Sequence, residues 1–136
     1  MTSLTSERSW CLAVPHHSRG ASLARHRLGD ELAGSVQDYL FTDVITVAAE
    51  LLSNAIRHAR PLPGGMVRLS WRLFGSADRK LVEVRVTDGG SDSEPTIRAA
   101  EPRALNGRGL AIVSILASRW GVDRDGLGQS VWAECR

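Results

Sequence analysis

Lysine is almost missing from this chain: of 17 basic residues only Lys80 is a lysine, and the rest are arginines. Aromatics are scarce at 5%, and no basic run interleaves with them, so direct nucleic-acid contact is not expected. The formal net charge of +2 is small and well mixed along the chain. The two cysteines, Cys11 and Cys135, lie near opposite ends with no metal-ligand spacing, and a reduced pair is expected. MTSLTSERSW has no basic start leading into an apolar run, so no signal peptide is expected. No segment approaches the ~20 apolar residues that cross a bilayer. Repeats and low-complexity tracts are absent. These absences predict a soluble, cytoplasmic protein with no membrane partner. Its 136 residues, 43% of them apolar, fit one domain of ordinary composition.

The polar residues 1–9 predict a disordered N-terminal tail, leaving 10–136 as the domain. Trp10 to Val14, stopped by Pro15, reads as an edge strand. Apolar residues recur at helical spacing from Ser18 to Val36, with Gly29 and Gly34 weakening that helix. Thr42–Arg60 is a stronger helix: Thr42 suits the N-cap, Asp43 suits the positive helix start, and Pro61, Pro63, Gly64 and Gly65 end it. Val44, Ile45, Ala48, Leu51, Leu52, Ala55, Ile56 and Ala59 fill one arc, whereas Glu50, Asn54 and His58, spaced by four, form a polar stripe. Period two then takes over in Met66–Phe74 and Leu81–Thr87, around the turn Gly75–Lys80, which predicts an antiparallel hairpin. Gly89–Asn106 is a long irregular segment, followed by a helix from Gly107 through Trp120 with Gly121 at its C′ position, a turn at Gly126–Gly128, and a last strand Gln129–Cys135. The order predicts an α/β two-layer sandwich, with a mixed, mostly antiparallel sheet covered on one face by about three helices.

Three local features carry chemistry. Glu50 and Asn54, one turn apart, fit either a solvated helix face or a general base beside a metal ligand. Asp88 follows Val82, Val84 and Val86 on the apolar side of a strand, where a carboxylate needs a partner from backbone amides or from a ligand amine. Gly107-Arg108-Gly109 at a helix start allows close backbone approach and offers free amides to phosphate oxygens, although such a pair is also a common structural turn. No Gly-Lys-Ser/Thr follows it, and no parallel βαβ unit surrounds it.

Together, in this order, the segments ELLSNAIRHA, VRVTDGG and GRGLAIV resemble the boxes of the Bergerat-fold, histidine-kinase-like (GHKL) ATPases, a superfamily that includes gyrase and sensor histidine kinases. Within it the chain is most similar to the stand-alone anti-sigma-factor serine/threonine kinases. The resemblance spans roughly residues 10 to 135. It implies ATP and Mg²⁺ as ligands, with Glu50 as the base and Asn54 holding the metal. By the same resemblance Asp88 accepts from the adenine amino group, and Gly90 lets the purine lie against the backbone. Gly107, Gly109 and Leu110 fall in the second glycine box at the phosphates. Ser130 stands where the family has a threonine supporting the adenine aspartate. Arg57, His58 and Arg108 are candidates for phosphate contacts, with surface packing the simpler reading of Arg57. Asp92 departs from the family pattern, replacing the last glycine of the first glycine box.

The resemblance implies an anti-sigma factor that phosphorylates a STAS-type anti-sigma antagonist and so regulates a sigma factor. It also suggests, without requiring, a homodimer built through the first strand and helix. Asp92 keeps open an ATP-binding module that sequesters a partner without kinase activity. A detached histidine-kinase domain fits less well: His26 in ARHRLGDEL has no second bundle helix beside it. His16 and His17 read as loop residues.

Overall fold

The computed structural model describes residues 6–76, 78–91, 105–126 and 128–136. Its elements are β1 (Ser6–Pro15), α1 (Ser18–Leu32), α2 (Asp38–His58), β2 (Met66–Gly75), β3 (Lys80–Asp88), α3 (Leu105–Leu116), β4 (Arg119–Arg124) and β5 (Gln129–Cys135). The strands form one sheet in the order β1-β2-β3-β5-β4, and every pairing is antiparallel. The helices lie on one face, with α2 in contact with α1, α3 and β3, so the fold is the expected α/β sandwich.

Strand alternation builds the buried layer. Trp10, Trp71, Val84, Ala133 and Trp120 form one cross-strand row, and Leu12, Leu69, Val86, Val131 and Val122 form the next. The rings of Trp10 and Trp71 stack with centroids 5.7 Å apart. Leu28 and Leu32 of α1, Val44, Val47, Leu51 and Leu52 of α2, and Leu110 and Val113 of α3 close over these rows. The opposite face carries alternating charges instead. There Arg72 pairs with Glu7 at 2.8 Å, Arg85 with Asp123 at 2.8 Å, and Arg119 reaches both oxygens of Glu134 at 3.1 Å. Such exposed pairs contribute little to stability, less than about 1 kcal/mol each.

Four sequence expectations need correction. The first strand begins at Ser6, so Ser6–Ser9 are not frayed: they pair with Arg72–Gly75, and Glu7 meets Arg72. Polar side chains at the end of an edge strand do not prevent its ladder from forming. Second, α2 starts at Asp38 rather than Thr42, because Leu40 is buried and extends the apolar stripe one turn upstream. Gln37 occupies the N-cap without a side-chain bond, and Thr42 lies inside the helix, its carbonyl accepting from Thr46 Oγ1. At 21 residues α2 is also long and apolar enough to cross a bilayer, contrary to the expectation for the chain, although here it is the central helix of the core. Third, α1 ends at Leu32, and Gly34 turns the chain away with φ +79°.

The fourth correction concerns the C-terminal third. The helix expected through Trp120 stops at Leu116, and Arg119–Arg124 form β4 against β5. Trp120 and Val122 point to the core while Arg119, Gly121 and Asp123 lie on the other face, a period of two hidden behind the apolar run of α3. Gly121 is therefore a strand residue, not a helix cap. It lies beneath Trp132, and a Cβ there would meet the indole at 2.7 Å.

Candidate functional site

Asp88 ends β3 on the helix-covered face, in the series Val82, Val84, Val86, and is 2% exposed. Its Oδ1 accepts the Gly90 amide at 2.7 Å. Burial pushes the Asp88 carboxyl above the usual carboxylate range, while the Gly90 hydrogen bond and the charges of His16 and Arg124 pull it back. Gly90 has φ +89°, a conformation open to glycine, so the chain reverses at once after the strand.

This turn is fastened to the end of α2. Arg60 donates its amide to the Gly90 carbonyl at 2.9 Å, and its own carbonyl accepts the Gly89 amide at 2.7 Å. The approach is so close that a Cβ on Gly89 would lie 2.2 Å from the Pro61 carbonyl oxygen. Glycine at 89 is thus required by the junction. Asn54 lies four residues before the end of α2, about 6 Å along its axis. A second tie comes from His16, whose Nε2–H donates to the Ala55 carbonyl at 2.8 Å. His17 is likewise more than a loop residue: its Nδ1 caps α1 by accepting from the Arg19 amide at 3.2 Å.

On α2 the sequence stripe is real. Glu50 and Asn54 are half-buried, His58 is exposed, and Leu51, Leu52 and Ala55 beside them are buried. Among the described residues nothing hydrogen-bonds or ion-pairs with the side chains of Glu50 or Asn54, which leaves both available to a ligand. Arg57 is exposed and lines an open groove between α1 and α2, of about 310 Å³, together with Arg25, Ser18, Ser22, Ser53 and Ile56. It serves that surface at least as well as a phosphate site.

Gly107 and Arg108 close the first turn of α3 and Gly109 opens its second, because the helix starts at Leu105, before the expected position. Asp92 and most of the irregular segment expected over Gly89–Asn106, residues 92 to 104, lie outside the described residues. Leu110 is 1% exposed and belongs to the core, so its side chain is not a nucleotide contact.

The register corrects the role expected of Ser130. Thr87 pairs with Ser130, and the two hydroxyls share a 2.7 Å hydrogen bond. Thr87 follows the pleat to the face opposite Asp88, and Ser130 goes with it, so Ser130 does not support the aspartate. The residue opposite Asp88 is Gln129, which is 4% exposed. Its Oε1 is buried with no hydrogen-bond partner among the described residues, at a cost of about 1–3 kcal/mol. The sequence did hold a signal: Gln129 is the one polar member of the inward series Gln129, Val131, Ala133, Cys135.

A buried acceptor at Asp88, an unpartnered carboxamide beside it and glycines at the turn fit the base of an adenine nucleotide. Toward the phosphates, Asn54 and the first turn of α3 offer an amide oxygen and helix-start amides. No group of three His, Cys, Asp or Glu residues among the described residues forms a metal cluster. Mg²⁺ fits here through Asn54 with phosphate and water oxygens completing its shell.

A family model described as a histidine kinase-like ATPase domain matches residues 14–134, nearly the whole chain. No curated protein matches it.

Proposed function

The chain belongs to the histidine kinase-like ATPase domain family, and from that premise we propose that it is an ATP-binding anti-sigma factor and serine/threonine kinase. Its substrate in this reading is a STAS-type anti-sigma antagonist, its regulatory target is a sigma factor, and it works in the cytoplasm. The observation that carries nucleotide binding is Asp88, a buried carboxylate at a strand end clasped to the helix that bears Glu50 and Asn54.

Asp88 and the Gly89-Gly90 turn bind and orient the adenine, and Asn54 is the residue that would hold Mg²⁺. Glu50 takes the proton from the partner serine as its oxygen bonds the γ-phosphorus and the bond to the β-phosphate oxygen breaks. Mg²⁺, held there, would supply charge neutralisation at the phosphates. The phosphorylated antagonist then departs, leaving the kinase to hold the sigma factor. A second reading, binding without phosphoryl transfer, is favoured by one observation: no described residue orients the Glu50 carboxylate, as a working base requires.

Incubation with labelled ATP and STAS-type partners separates the two. Label should pass to a partner serine, and Glu50→Gln should reduce transfer by a hundredfold or more while ATP still raises the melting temperature. Transfer that survives Glu50→Gln rejects the base assignment. ATP at 100 times its Kd should add about 2.7 kcal/mol of stability, and Asn54→Ala should remove the Mg²⁺-dependent part of that gain.

A further inference from the structure

The buried Gln129 Oε1 at the base end has no partner among the described residues. Its inward neighbours Val131, Ala133 and Cys135 are apolar and buried, and a hydrophobic residue at 129 would avoid burying an orphan polar atom. Gln129 is placed against Asp88 by the β3–β5 register, and Arg124 is the next residue across in β4. Directly paired side chains on one sheet face are about 5 Å apart at Cβ. Asp88 and Gln129 therefore address one ligand edge together.

We infer that Gln129 is a specificity-determining residue that reads the nucleobase alongside Asp88 and selects adenine over guanine; this rests on the nucleotide-binding reading above. A carboxamide matches adenine in both of its groups: its oxygen accepts from the exocyclic amine and its N–H donates to a ring nitrogen. The amine carries two hydrogens, so one goes to the Asp88 carboxylate and the other to Gln129 Oε1, which gains the partner it lacks. Guanine has a carbonyl oxygen in place of that amine. This oxygen would face two acceptors, and neither Asp88 nor Gln129 Oε1 would be satisfied. Ser130 takes no part, being bound to Thr87 on the other face.

Gln129→Met, which keeps the length of the side chain and removes both polar groups, tests the inference. Kd values for ATP, GTP and the triphosphate of purine riboside, which lacks the amine, are measured by calorimetry on the full chain and the variant. The wild type should prefer ATP to GTP, and Gln129→Met should lower that preference by about five- to a hundredfold. Loss of the amine should also cost less affinity in the variant than in the wild type. The unliganded variant should melt no lower than the wild type, because the orphan oxygen is gone. An ATP:GTP ratio unchanged within twofold overturns the inference while leaving ATP binding in place. Should Gln129→Met fail to fold, wild-type binding decides alone: equal affinity for ATP and the amine-free analogue overturns base reading by this pair. If the wild type binds no nucleotide, the functional reading falls and this inference with it.

Discussion

At Asp88 the fold gives up stability for the group proposed to bind the base. The folded protein holds the Asp88 proton more tightly than the unfolded chain does, because burial disfavours the charge. Protonation therefore favours the folded state, and the penalty of the buried carboxylate is present above the raised pKa and fades as pH falls through it toward the usual carboxylate range. Asp88→Asn keeps an oxygen for the Gly90 amide and removes the charge. It should be more stable than the wild type at neutral pH, with the difference shrinking on acidification, as paired denaturant titrations across that range would record. The same variant should weaken ATP by about ten- to a hundredfold, since a charge-assisted hydrogen bond is worth about 1.5–3 kcal/mol. Equal stability of the two proteins at every pH would show that the carboxylate carries no penalty. The thiols give a second contrast. Cys11 is exposed on the edge strand, whereas Cys135 is buried and its thiol is pushed up to about 12 by burial and then by Asp43. A thiol reagent should label Cys11 alone in the native protein and reach Cys135 only on unfolding.

Among the elements, those with a strong period and clear punctuation were legible before the fold was known. The β2–β3 hairpin came from strict alternation, and the body of α2 from its apolar arc. Its N-terminus was misplaced because a good capping residue, Thr42, sits one turn inside a helix whose start is set by the burial of Leu40. β4 escapes sequence reading because Val113, Leu116 and Trp120 keep helical spacing across its start, and only contact with β5 decides the boundary. Asp88 and the α2 stripe were legible for the site because each breaks a local apolar pattern. Gln129 was not assigned, because its meaning depends on a cross-strand register that sequence spacing does not give. The β4–β5 pair makes a direct test of the revised boundary. Gly121→Ala puts a methyl 2.7 Å from the Trp132 ring, displacing the indole and the Arg119 guanidinium that lies 5.5 Å from its centroid. Chemical denaturation should show a loss of about 1–3 kcal/mol. A helix C′ glycine at 121 would instead leave Trp132 fluorescence unmoved.

Over the whole molecule, the proposed base and phosphate ends are carried by different layers: Asp88 and Gln129 by the sheet, Glu50 and Asn54 by the central helix. The Arg60 clasp joins the layers, so nucleotide binding should protect amides in both β3 and the last turns of α2 against hydrogen exchange. The edge strand has a different consequence, one of timing. β1 leaves the ribosome before the rest of this fold, yet its partner β2 lies beyond both α1 and α2, with Pro15 meeting Met66 at the near end of the register. Hairpins such as β2–β3 close in roughly 1–10 μs, whereas β1 must pay the entropy of closing a long loop before its ladder returns anything. The nascent chain thus carries Trp10, Leu12 and Val14 unpaired until Gly75 has been synthesised, and an emerging strand of alternating apolar residues is a natural chaperone substrate. Pulse-labelled refolding should find β2 and β3 amides protected first and β1 last.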